Sequence, residues 1–143
     1  MKKVIMIMTL VLFSCRTNEK VMGQEMANET LVSYSKGPCL GGRCPVYRLE
    51  VYVNGTYYLK KSKGAYSQRE LEGKLSDDEL KVLNQVLASI PSEVAPFKRI
   101  RDVPVTGLTY QGKKHRYHAS RIEGPLHTIN SRMEELVSTI HAR

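Results

Sequence analysis

The sequence predicts a two-layer α+β domain, an antiparallel sheet with two helices packed on one face and one structural disulfide. Three observations carry this prediction. Strand-like and helix-like segments follow one another as strands, helix, strands, helix, which suits strands paired in one layer and helices segregated to the other. The stretch "VYRLEVY", Val46 to Tyr52, alternates apolar and polar residues, the mark of a strand with one covered face. Two later stretches repeat apolar residues every three or four positions, as helices lying on such a face require.

The elements are taken in order. "TLVSYS", Thr30 to Ser35, is rich in β-favouring residues and reads as a first strand leading into a cysteine-containing loop. In the second strand Tyr47, Leu49 and Val51 face one side, and Arg48, Glu50 and Tyr52 the other. Asn54-Gly55 then turns the chain into "TYYLK". A two-residue loop would set Leu49 against Lys60. A three-residue loop ending in a left-handed glycine sets Val51 against Tyr57 and Leu49 against Leu59, and only this register keeps the apolar residues together. The expectation is therefore a bulged turn with Gly55 at positive φ. "KKSKGAY", Lys60 to Tyr66, is basic and turn-like, and "SQRELEG" after it reads as a further, more polar strand.

Ser76 and Glu79 form a capping box, with Leu75 and Leu80 placed for a hydrophobic staple. Leu80, Leu83, Leu87 and Ile90 make one stripe, and Pro91 stops the helix. Asp77 and Asp78 could be a catalytic carboxylate pair, but their place in the first turn, where the helix dipole favours acids, accounts for them fully. "PSEVAPFKRIRDVP" is a proline-punctuated loop, and "TGLTYQGKKHRYH" a second hairpin turning near Gly112. Gly124-Pro125 opens a last helix whose stripe is Leu126, Ile129, Met133, Leu136, Val137 and Ile140.

The start, "MKKVIMIMTLVLFSC", has the charged, apolar and small-residue parts of a secretory signal, and its apolar run is too short to cross a bilayer. Its end, "LFSC", resembles the lipobox of bacterial lipoprotein signals. That resemblance implies cleavage before Cys15 and lipidation of Cys15, with the attached acyl chains holding the protein on a membrane. Arg16 lacks the aspartate that retains some lipoproteins at the inner membrane, so the resemblance points to the outer membrane. The expected organisation is a signal peptide over residues 1–14, a flexible tether over 15–29 and one domain over 30–143. Loss of Lys2 and Lys3 with the signal lowers the formal charge from +8 to +6.

Export bears on "GPCLGGRCPVY", Gly37 to Tyr47, which holds two of the three cysteines. Oxidising compartments favour disulfides, and with Cys15 lipidated one pair is left, Cys39 and Cys44. Gly41 and Gly42 allow so short a loop to bend back. A redox role fits less well, because thiol oxidoreductases place cysteines two apart at a helix start, and a strand is expected here. A zinc site needs about four ligands, and no histidine or third cysteine is near in sequence.

"GPCLGGRCPVYRLEVYVNGTYY" is similar to the signature of an uncharacterised bacterial domain family of envelope lipoproteins, G-P-C-x-G-x-C-P-x-Y followed by a strand and an Asn-Gly or Asp-Gly turn. Here one more residue separates the cysteines. "DVPVT", Asp102 to Thr106, resembles a later D-x-P-x-T element. The resemblance spans Leu31 to about Ile140 and implies a fold and an address, with no activity attached.

No serine-hydrolase elbow, zinc-protease, phosphate-loop or dinucleotide motif is present, and no catalytic residue, metal ligand or cofactor is expected. The four histidines read as scattered surface residues. His115 and His118, three apart in an expected strand, would point to opposite faces. With a sequence pI of about 9.5, three basic clusters stand out as candidate anion-binding residues: Lys60, Lys61 and Lys63; Lys98, Arg99 and Arg101; Lys113, Lys114 and Arg116. Location turns these away from nucleic acid and toward an anionic glycolipid or an envelope protein. The leading expectation is a non-enzymatic binding or structural module on a membrane. Thiol-disulfide exchange through Cys39 and Cys44, or polyanion binding, are the alternatives.

Overall fold

A computed structural model describes residues 29–63 and 69–143. The expected signal peptide, the lipidation site Cys15, the tether up to residue 28 and residues 64–68, which include the end of the Lys60–Tyr66 stretch, lie outside the described residues. Lys60 to Lys63, expected to be turn-like, are instead strand, with Lys60 and Lys61 paired on both sides in the sheet. The chain forms β1 (Thr30–Lys36), β2 (Val46–Tyr52), β3 (Thr56–Lys63), β4 (Arg69–Lys74), helix α1 (Asp77–Leu87), β5 (Thr106–Tyr110), β6 (Lys113–Tyr117), a short 3₁₀ turn (Ala119–Arg121) and helix α2 (Gly124–Ala142). The six strands make one sheet in the order β4-β3-β2-β1-β5-β6, every neighbouring pair antiparallel. The expected α+β architecture is the observed one.

One face of the sheet is covered. Val32, Tyr34, Leu49, Val51, Leu59 and Leu108 point into a single core completed by Leu83 and Leu87 of α1 and Ile129, Met133, Val137 and Ile140 of α2. The alternation in β2 is as expected, with Tyr47, Leu49 and Val51 buried and Arg48 exposed. The first hairpin takes the bulged register: Val51 lies opposite Tyr57 and Leu49 opposite Leu59. Gly55 has φ 80° and donates its N–H to Tyr52 O at 2.9 Å. Asn54 Oδ1 accepts from the Thr56 N–H at 2.9 Å and fixes the turn.

Helix α1 begins with the full capping box. Ser76 Oγ accepts from the Glu79 N–H at 3.2 Å, and Glu79 Oε2 from the Ser76 N–H at 2.8 Å. The helix ends at Leu87, and the N–H groups of Ala88, Ser89 and Ile90 close onto its last carbonyls before Pro91. The second hairpin, whose register the sequence left open, pairs Tyr110 with Lys113. Its two turn residues, Gln111 and Gly112, both have positive φ, as a two-residue type I′ turn demands.

Two expectations change here. His115 and His118 are 4% and 5% exposed, so they are not surface residues. The parity argument also fails for His118, because β6 ends one residue before it, at Tyr117. His118 Nε2 accepts from the Ile100 N–H at 3.1 Å, so the proton sits on Nδ1 and is donated to Pro104 O at 3.0 Å. One neutral imidazole thereby pins the irregular segment before β5. Lys61, grouped with the surface cations by sequence, is 4% exposed on the covered face.

Candidate functional site

Strand pairing builds an open, polar groove on the sheet. On the uncovered face, Arg48 of β2 is registered with Ser35 of β1, Ser35 with Gly107 of β5, and Gly107 with Arg116 of β6. These four residues form one row across the sheet. Ser35 and Gly107 are small, so the row is a trough with a cation on each bank. Three inter-strand steps of about 4.8 Å set the two arginine Cα atoms roughly 14 Å apart. The segment before β5 closes one end and contributes Phe97, Arg99 and Val103.

The groove over this trough has a volume of about 470 Å³. Its charged lining side chains are Lys36, Arg48, Arg99, Lys114 and Arg116, with no carboxylate among them. Two of the five are partnered: Lys36 with Glu134 at 2.7 Å and Arg48 with Glu50 at 2.6 Å. The Arg48 side chain is 63% exposed, so its ion pair is a weak, solvent-screened one that a ligand anion can replace. A second groove continues past Arg99 and Val103 between Leu40 of the cysteine loop and Arg101 and Asp102.

The two sequence motifs meet here. Lys36 pairs with Thr106, and the Gly37 N–H donates to Val105 O at 2.9 Å, joining "GPC" to "DVPVT". Cys39 and Cys44 are bonded, with Cα atoms 5.6 Å apart. The loop closes further through Gly42 N–H to Cys39 O at 3.1 Å.

The basic clusters read from the sequence are divided by the fold. Arg99, Lys114 and Arg116 come together at the groove, and Arg101 lines its extension. Lys60 lies in the row beside Arg48 but is paired with Glu70 at 2.8 Å. Lys61 faces the core side, where burial first and Arg69 second hold its pKa below the usual lysine value. Lys63 ends β3, Lys98 is exposed in the loop, and Lys113 donates to Ser92 O at 2.9 Å. Arg48 and Lys36 were missed. Outward alternation marked Arg48 as exposed, but its neighbours across the sheet follow from strand order, which no local pattern encodes.

Behind the groove, on the covered face, a carboxylate is enclosed by donors. Glu134 of α2 accepts from Tyr34 Oη at 2.9 Å, Tyr47 Oη at 2.6 Å and Lys36 Nζ at 2.7 Å. Burial works to raise its pKa, but the bonds from Lys36, Tyr47 and Tyr34 outweigh it and hold the carboxyl below its ordinary value. Tyr34, Tyr47 and Tyr117 are all pushed up, by burial first. They stay protonated across the physiological range; Tyr34 and Tyr47 act as donors to Glu134, while the buried Tyr117 hydroxyl has no hydrogen-bond partner among the described residues.

Fold and site thus define an α+β domain with a disulfide-closed loop, a helix-covered sheet face and an open face ending in a basic groove. Residues 30–140 match the family described as a domain of unknown function, DUF6438, and the chain belongs to that family. Comparison with the curated proteins gives no match.

Proposed function

We propose that this chain is a lipid-anchored protein of the bacterial cell envelope that acts by binding an anionic partner on the open face of its sheet, and not by catalysis. The observation that carries the reading is the groove in which Arg48, Arg99, Lys114 and Arg116 converge without a lining carboxylate. Cations so placed raise the local concentration of anions and exclude cationic partners. The lipobox-like "LFSC" supports the anchor, and Arg16 supports the outer membrane as its site. Thr30, where the domain begins, pairs with Tyr52 at the opposite end of β1 from Lys36 and the groove. A seven-residue strand separates the two ends by about 20 Å, so the groove opens away from the tether. The partner is then a glycolipid, polymer or protein of the envelope that reaches the groove end of the domain.

Structural use of the disulfide fits the same reading. Val46 opens a strand two residues after Cys44, where a thiol oxidoreductase would have the start of a helix to stabilise a thiolate. Two experiments test the proposal. Cys15→Ser should block processing or release the protein from the membrane fraction, and normal cleavage with unchanged retention would refute the anchor. Binding of the mature protein to an anionic polysaccharide should weaken with added salt and fall at least about tenfold in the Arg99→Gln/Lys114→Gln/Arg116→Gln variant. Salt-independent binding, or none, would refute the anionic partner.

A further inference from the structure

We infer that the trough is a site for a saccharide unit carrying two anionic groups, one held by Arg48 and the other by Arg116 with Arg99. This rests on the binding reading above and narrows its ligand. The floor is made of Ser35 and Gly107, whose small size leaves room for a body between the banks. A Cβ built on Gly107 would lie 2.9 Å from Ser35 Oγ, so any larger residue there starts to fill the trough. The remaining lining suits a sugar ring and not an alkyl chain. Ser35 and Ser62 offer hydroxyls, and Phe97, Val46 and Val103 offer apolar walls. Phe97 is steadied by the His118 ring, their centroids 5.2 Å apart. A volume of about 470 Å³ lies within the size range of small-molecule sites, roughly 300–1,000 Å³.

Guanidinium groups decide the anion geometry. Their planar forks bind phosphate or carboxylate through paired hydrogen bonds, which lysine cannot do. Two forks on opposite banks, with Cα atoms roughly 14 Å apart, favour anions separated by the width of a sugar ring over two anions on adjacent atoms. Two cationic banks spaced for a ring between two anions favour a unit of an anionic polymer over a phospholipid head group that carries a single phosphate.

The test uses the mature full-length protein in detergent micelles and four probes: glucose 1,6-bisphosphate, glucose 6-phosphate, inorganic pyrophosphate, and vesicles of phosphatidylglycerol. The sugar bisphosphate should bind at least about tenfold tighter than the monophosphate or pyrophosphate, and Arg48→Gln and Arg116→Gln should each lose about tenfold. Both changes are at exposed surface positions, so folding is not at stake. Ser35→Ala/Gly107→Val fills the trough without altering charge and should abolish sugar-bisphosphate binding while the polysaccharide interaction keeps its salt dependence. Equal affinity for pyrophosphate, or unchanged binding in the filled variant, would overturn the trough as a spaced-anion site. Binding to the vesicles alone would overturn the polymer source. Either result leaves the anionic-partner reading standing, whereas the loss of all salt-dependent binding removes that reading too.

Discussion

Replacing Glu134 should destabilise the domain more than any other single carboxylate change among the described residues, because it removes the acceptor of three donors at once. Tyr47 is 4% exposed and would lose its hydroxyl's acceptor, and a buried bond to a charged group is worth about 1.5–3 kcal/mol. The Lys36 pair has side chains 21% and 32% exposed, so screening reduces it to about 1 kcal/mol. Tyr34 keeps Asn130 Oδ1 at 2.9 Å, so its loss adds little. Glu134→Ala should therefore cost about 3 kcal/mol, near 12 °C in Tm for a domain of this size. Glu134→Gln retains one carbonyl acceptor and should cost about half as much. The pH dependence gives a second readout. The folded-state pKa lies below the ordinary 4.5, so the carboxylate's contribution is fully present above 4.5 and is lost as pH falls through the lower folded value. Urea denaturation of the wild type and Glu134→Gln between neutral pH and pH 3 should show stability curves that converge toward the acid end. A glutamine variant as stable as the wild type at pH 7, with a parallel pH profile, would refute a net stabilising role for the cluster.

Two further predictions concern the segments that border the groove. Cys39→Ser/Cys44→Ser should lower stability by about 2 kcal/mol, measured by chemical denaturation, and leave binding intact while the domain is folded. Mass spectrometry without reductant should find no free thiol at either position, and the reduction potential should lie below about −300 mV. His118→Phe keeps the ring but leaves the Ile100 N–H and Pro104 O without partners, at a cost of about 1–3 kcal/mol. Amide exchange at Ile100 should accelerate in this variant, and binding through Arg99 should weaken.

Features set by neighbouring residues were legible in the sequence, and features set by strand order were not. The Ser76–Glu79 box, the alternation of β2 and the Gly55 turn each depend on a few consecutive residues, and each is where the sequence places it. For the first hairpin, burial chose between two turns, since only one register puts Leu49 against Leu59. In the second hairpin "TYQGKKHRY" offers no comparable apolar pairing on both strands, so Gly112 located the turn but the register stayed open. The groove belongs to the second class. Arg48 and Arg116 are 68 positions apart in the numbering and meet only because β5 and β6 add to the β1 side of the sheet. The buried histidines escaped for a related reason. His118 is buried by partners supplied from Ile100 and Pro104, which no periodicity of its own segment announces.

The groove and the Glu134 cluster are two sides of one strand end. Lys36 and Tyr47 line the groove, yet their polar ends are tied to Glu134 behind it. Just beyond them the chain becomes irregular on both sides of the β1–β5 pair, into the cysteine loop after Gly37 and out of the 97–105 segment. Irregular backbone would move freely at such a point unless bonded. Here it is bonded four ways: by the disulfide, by Gly37 to Val105, and by both nitrogens of His118. Arg99 is thus carried on a loop that the rest of the fold holds in place, while Arg48 and Arg116 stand on strands. A site whose cations are positioned before the ligand arrives loses less side-chain and loop freedom on binding, which is the physical advantage of building a rigid wall beside an open sheet.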